Sequence, residues 1–110
     1  MDEDSQRRRH FRLRYPHREW PQLLTKTGKF RVVEISEGGA RIQFAGRPPT
    51  CFRHAVDAQI FFRDGTKVET NAIHHRIDKN EVILRFTKPI PLYIVIGEQR
   101  RLMKLYDMGP

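Results

Sequence analysis

Apolar and polar residues alternate with a period of two along most of this chain and change to a helical period only near its C-terminus. Residues 20–24 predict a first strand, followed by the turn Lys26-Thr27-Gly28-Lys29. Residues 30–35 carry Val32, Val33 and Ile35, a β-branched run that ends at Ser36-Glu37-Gly38-Gly39. Ala40-Arg41-Ile42-Gln43-Phe44 alternates cleanly, as a half-buried strand does. Gly46-Arg47-Pro48-Pro49-Thr50 breaks the pattern and opens a longer connection. Residues 58–63 predict another strand, and Asp64-Gly65 is a hairpin signal. Residues 67–75 predict one long or bent strand, Asp78-Lys79-Asn80 turns the chain, and residues 81–86 return through Val82, Ile83, Leu84 and Phe86. Six short strands with mostly hairpin-like connections predict a mainly β fold, a small antiparallel six-stranded β-barrel.

After Pro89 and Pro91 the period changes. Leu92, Val95, Ile96, Leu102, Met103 and Tyr106 recur near helical spacing, with Glu98, Arg100, Arg101 and Lys104 between them. This predicts one amphipathic C-terminal α-helix over about residues 91–107, its basic residues late, where they suit the helix C-terminus. Gly109 lies beyond its end. The pattern fits a helix packed across the barrel and equally one packed against another subunit, so a homodimer stays open.

At 110 residues there is room for one domain with a single modest core. No run approaches the ~20 apolar residues that span a bilayer, and Met1-Asp2-Glu3-Asp4 is acidic where a secretory signal is basic and then apolar. The expectation is a soluble, cytoplasmic protein without membrane insertion. Cys51 is the only cysteine, which rules out an internal disulfide and fits a reducing compartment. A net charge of +8 turns the search toward anionic partners: nucleic acid, a nucleotide or an acidic protein face. The chain stays basic when residues 1–18 are set aside, so charge alone does not name the partner.

The densest charge lies in residues 7–18, which hold Arg7, Arg8, Arg9, Arg12, Arg14 and Arg18. This stretch has neither helical nor strict strand period, and Pro16 discourages a helix through Tyr15. It predicts a flexible, Arg-rich, ligand-binding arm behind an acidic tip (residues 1–18), with the barrel and helix in residues 19–110. A guanidinium makes two parallel, charge-assisted hydrogen bonds to a phosphate, and its plane can stack on a base. Arg8 and Arg12, four apart, can project to one side of a tight turn and clamp one ligand. The plainer alternative is a solvated basic tail.

Glu34, Ser36 and Gly39 are the complement. Residues 34 and 36 share a face of their strand. A carboxylate accepts from the ring N–H and exocyclic amine of guanine, and a serine hydroxyl donates or accepts beside it. Gly38 and Gly39 allow close backbone approach and permit φ > 0. Taken alone, this stretch also reads as an ordinary glycine-containing loop. Arg41, just beyond the turn, is either a further contact or a solvated strand residue.

Metal and catalytic chemistry find no footing. His74 and His75 are adjacent and face opposite ways in a strand, and His10, His17 and His54 have no Cys/His partner spacing. Ser36 has no motif-linked histidine, Cys51 no nucleophile context, and no P-loop or dinucleotide glycine pattern occurs. Neither an enzyme, a metal site nor a cofactor is expected.

The two stretches together resemble the PilZ family, bacterial receptors for the second messenger cyclic di-GMP. The family pattern is RxxxR, often with a preceding arginine, followed by [D/N]xSxxG. Arg8-Arg9-His10-Phe11-Arg12 matches the first, with Arg7 preceding it. Glu34-Ile35-Ser36-Glu37-Gly38-Gly39 matches the second except at its first position. The resemblance implies that Arg8 and Arg12 bind phosphate and stack on guanine, with Arg7 adding a contact. It implies that Glu34 and Ser36 read a guanine edge and that Gly39 shapes the turn. It also implies an arm that orders over the ligand, a downstream protein partner, and signalling to motility, adhesion or biofilm machinery. One or two ligand molecules per chain remain open. The departure is Glu34, where Asp or Asn is usual: one more methylene moves the carboxylate outward by about one carbon–carbon bond. Two rivals stand beside this reading. One is a degenerate PilZ-like adaptor that binds protein and no nucleotide. The other, further behind, is a small basic barrel for nucleic acid, which usually interleaves aromatic and basic residues on one sheet face.

Overall fold

The computed structural model describes residues 11–106. Seven strands and one helix follow in order: β1 Leu13–Arg14, β2 Gln22–Thr25, β3 Gly28–Ser36, β4 Gly39–Gln43, β5 Val56–Phe61, β6 Lys67–Asp78, β7 Glu81–Phe86 and α1 Leu92–Tyr106. All pairings are antiparallel. The order β3-β2-β5-β6-β7-β4 closes through a β3–β4 pairing. This is the six-stranded barrel, with β1 laid along the far half of β3.

Local chemistry sets each corner. Thr25 Oγ1 accepts the backbone N–H groups of Thr27 and Gly28 at 3.2 and 3.1 Å and fixes the β2–β3 turn. Asp64 Oδ1 accepts the Thr66 N–H at 2.9 Å, and Gly65 takes φ +91°, closing β5–β6. Lys79 bears φ +59° in the turn into β7, an unusual left-handed conformation for a residue with a long side chain. The core is the inward set of each strand, with Leu23, Val32, Ile42, Ile60, Ala72 and Val82 fully enclosed. Burying an aliphatic side chain of this kind is worth about 1.5–3 kcal/mol.

Two stretches differ from the sequence expectation. Residues 7–18 were expected to lack strand structure, yet Leu13 and Tyr15 are buried and Leu13–Arg14 pairs with Ile35 and Glu34. The described end of the arm is therefore laid down on the barrel from Leu13 onward. Apolar burial at two alternating positions outweighs the surrounding charge.

The second difference lies in α1. Glu98 belongs to the inward face with Val95 and Leu102, not among the solvated positions, while Leu92 and Tyr106 are exposed. A buried carboxylate needs partners. Glu98 accepts from the Tyr15 hydroxyl at 2.8 Å and from Arg101 Nε at 2.7 Å. Arg101 continues to Glu19 at 2.6 Å, and the Tyr106 hydroxyl donates to Glu19 at 2.8 Å. Burial, reinforced by the Glu98 charge, raises the Tyr15 pKa far above the ordinary phenol value, so the phenol stays a donor. The helix packs across the barrel of its own chain and ties down the root of the arm.

Candidate functional site

Two β-bulges decide which side chains leave the barrel interior. In β3 the register shifts between Val32 and Glu34. Val32 and Val33 are both buried, after which Ile35 turns inward and Glu34 and Ser36 turn out. Without that extra residue Glu34 and Ser36 would keep the inward parity of Val32. In β6 the shift lies between His74 and Arg76, and residues 74–77 are all exposed.

Between these irregularities the outer faces of β3, β4, β7 and β6 form a cleft of about 270 Å³. Arg12 borders it ahead of β1; Glu34, Ser36, Gly39 and Arg41 come from the β3–β4 hairpin; His75 and Arg76 from β6; and Ile83 and Arg85 from β7. Of the residues singled out from sequence, Arg12, Glu34, Ser36 and Gly39 thus share one cleft. Arg7 and Arg8 lie outside the described residues.

The hairpin is held from below. The Phe86 N–H donates to the Gly38 carbonyl at 2.8 Å and the Ile90 N–H to the Glu37 carbonyl at 3.0 Å. Ser36 Oγ donates to the Gly39 carbonyl at 3.4 Å. Gly39 pairs with Arg85, and a Cβ built there would overlap the Leu84 carbonyl oxygen. The positive-φ glycines among the described residues are Gly46 and Gly65. Gly39 is therefore required by close approach of the β7 backbone, and the left-handed freedom anticipated from sequence is not used there.

An ion-pair cluster runs along the cleft edge. Arg41 Nε donates to Glu34 Oε2 at 3.2 Å, and its NH1 donates to Asp78 at 2.9 Å and Glu81 at 3.4 Å. Arg14 grips Glu81 with two parallel hydrogen bonds at 3.1 and 2.5 Å. The Arg14 bonds hold the Glu81 carboxyl below its ordinary value, and the Arg41 bond does the same for Asp78. Glu34 is thus engaged through one oxygen, and Arg41 is a member of the site. The side chains of Arg12 and Arg85 make no hydrogen bond or ion pair among the described residues. The cleft offers unspent guanidinium groups, a hydroxyl and a half-engaged carboxylate, a set suited to an anion with amide-like donors.

Sequence reasoning missed His75, Arg76 and Arg85. Nothing local marks them, because they reach the cleft only through the Gly39–Arg85 register and the β6 bulge. Among the described residues no group of three or more His, Cys, Asp or Glu side chains is disposed to hold a metal ion. No described helix is long and apolar enough to cross a membrane.

The fold matches solved PilZ domains. The PilZ domain of Escherichia coli YcgR, solved with c-di-GMP, aligns with a TM-score of 0.68 at 18% identity, over 94% of this chain and 99% of that one. A longer YcgR chain in complex with c-di-GMP aligns at 0.65 and 18% identity, over 89% of this chain and 48% of that one. This chain therefore spans about half of that protein. An uncharacterised Legionella protein aligns at 0.61 and 18% identity, over 88% and 98% of the two chains. No family model matches the sequence, and no curated protein matches it significantly. At these identities the likeness establishes a PilZ-like fold.

Proposed function

We propose that this chain is a receptor for cyclic di-GMP, binding it in the cleft between the β3–β4 hairpin and β6. The observation that carries the reading is the convergence of Arg12, Glu34, Ser36 and Gly39 on one cleft in a fold whose solved neighbours include YcgR bound to c-di-GMP. Arg12, with Arg7 and Arg8 from the preceding arm, engages phosphate and stacks on guanine. Ser36 and the free oxygen of Glu34 read the guanine edge. Arg76 and Arg85 add positive potential on the far wall. The arginines of residues 7–12 repel one another until a dianionic ligand neutralises them, so ligand binding orders the arm. The ordered surface then engages a protein of the motility, adhesion or biofilm machinery.

Isothermal titration with cyclic di-GMP in about 0.15 M salt, which screens loose charge attraction, tests this. GTP and linear pGpG serve as controls. Saturable micromolar binding of the cyclic dinucleotide alone supports the receptor, and the stoichiometry gives the number of ligands. A second reading, a protein adaptor that binds no nucleotide, is favoured by the Arg41–Glu34 pair, which already engages one oxygen of the carboxylate. Absence of heat in the wild type and in Glu34→Asp would decide for the adaptor.

A further inference from the structure

Glu34 stands in the middle of a row on three neighbouring strands. Arg14 of β1 is its register partner on one side and Arg41 of β4 on the other. Directly opposed side chains on one face of a sheet are close enough to interact, so either guanidinium could take the carboxylate. Among the described residues only Arg41 does. Arg14 places both terminal nitrogens on Glu81, whereas Arg41 Nε donates to Glu34 Oε2 at 3.2 Å. Arg41 is itself held, because its NH1 donates to Asp78 at 2.9 Å and to Glu81 at 3.4 Å. Its side chain is 16% exposed and that of Glu34 18%, and both line the cleft. Glu34 Oε1 has no hydrogen-bond partner among the described residues.

We infer that Arg41 is a positioning residue for base selection: by holding Oε2 it presents the Glu34 carboxylate to guanine and sets the preference for guanine over adenine. This rests on the cyclic di-GMP reading above. A glutamate has one more rotatable bond than an aspartate, and ordering a long side chain at a binding site weakens binding. The Arg41 bond supplies that order before the ligand arrives. Each carboxylate oxygen has two lone pairs, so Oε1 and the second lone pair of Oε2 remain for the ring N–H and exocyclic amine of guanine. Adenine brings a bare ring nitrogen to the same place. A site built to accept a hydrogen bond discriminates against a base that cannot donate it.

Arg41 also neutralises carboxylates beside the cleft, and that plainer role is separable. Cyclic di-GMP and cyclic di-AMP carry the same two phosphates and differ only in their bases. Lost charge weakens both alike, whereas lost positioning weakens the guanine compound selectively.

The full chain is titrated calorimetrically with each dinucleotide at one salt concentration, and Tm is recorded for every variant. Wild type should prefer cyclic di-GMP, and Arg41→Met should cut that preference by about three- to tenfold, the scale of ordering one long side chain. Arg41→Lys keeps the charge facing Asp78 and Glu81 but lacks the planar fork that reaches Glu34 at the same time. It should melt like wild type and lose part of the preference, which keeps the test readable if Arg41→Met does not fold. In a Glu34→Ala background there is nothing to position, so adding Arg41→Met should leave the preference unchanged. Equal weakening of both dinucleotides by Arg41→Met would overturn the positioning role and leave the receptor standing. So would an undiminished effect of Arg41→Met in the Glu34→Ala background. A folded wild type that binds neither dinucleotide would overturn the receptor reading and this inference with it.

Discussion

Replacing Gly39 with alanine tests whether the hairpin's glycine answers to backbone approach or to backbone conformation. A methyl group at this position cannot coexist with the Leu84 carbonyl oxygen, which is main chain and cannot rotate away. β4 must therefore lift from β7 at its first two residue pairs, Gly39–Arg85 and Ala40–Leu84. The bonds from Phe86 and Ile90 to the turn carbonyls strain with it. Loss of about three backbone hydrogen bonds at ~0.5–1.5 kcal/mol net each gives a destabilisation of about 2–4 kcal/mol. For a domain near this size each kcal/mol moves Tm by roughly 4–8 °C, so a fall of about 8–30 °C is expected by circular dichroism. Gly46 is the internal comparison. It holds φ +75° with nothing within 4 Å of a built Cβ, so Gly46→Ala meets only left-handed strain of about 1–2 kcal/mol. The larger loss should come from the glycine without the positive φ. A Gly39→Ala protein that melts within about 1 kcal/mol of wild type, or above Gly46→Ala, would refute the close-approach argument.

The remaining expectations follow the charges. Glu98→Ala leaves Arg101 and the Tyr15 hydroxyl without their buried acceptor, at a cost of about 3–5 kcal/mol in urea denaturation; Glu98→Gln, which keeps an acceptor, should lose clearly less. Glu81, held low by Arg14, and Glu19, held low by Arg101 and then Tyr106, have folded values below 4.5. Their contribution to stability is therefore complete above that pH and is lost as pH falls through the depressed values. Tm should drop progressively below about pH 4.5, and Arg14→Met should blunt that drop by under ~1 kcal/mol, since Arg14 is more than half exposed. Arg12→Ala should remove most cyclic di-GMP binding by titration while leaving Tm within what ~0.5 kcal/mol produces, because the Arg12 side chain is exposed and has no hydrogen bond or ion pair among the described residues.

Strand alternation made the barrel legible from sequence because six strands have one wet and one dry face. What escaped depended on distant partners. Leu13 and Tyr15 alternate correctly, but three residues amid arginines give a pattern too short to outweigh charge. Glu98 sits three residues after Val95 and four before Leu102, squarely on the buried face. Only Tyr15, 83 positions away, explains a carboxylate there. The parity change in β3 did leave a trace, the adjacent apolar pair Val32-Val33. Glu34 and Ser36 share their face whichever way that strand is set, so their place together in one cleft was readable even though the bulge was not. Arg85 and Arg76 had no comparable trace, since register alone carries them to the cleft.

The position of β1 also gives a reason for the spacing of the two motifs. Burial of Leu13 and Tyr15 fixes the chain immediately after Arg12, at the β3 side of the cleft. From β1 the sheet runs β3, β4, β7, β6, four interstrand steps of about 4.8 Å, or roughly 19 Å measured along the surface. Four residues back from Arg12 to Arg8 extend at most about 14 Å. An arginine side chain adds several ångströms, so Arg8 can just span toward Arg76, with a shorter path where the barrel curves. In the clamp we propose, the arm is therefore long enough to close over the cleft from one anchored end, and Arg12 is held on its C-terminal side by the buried Leu13. The Tyr15–Glu98–Arg101–Glu19 chain extends that anchor to α1. The arm's root is thus held both by the helix and by β3, a wall of the cleft itself, where Leu13 and Arg14 pair with Ile35 and Glu34.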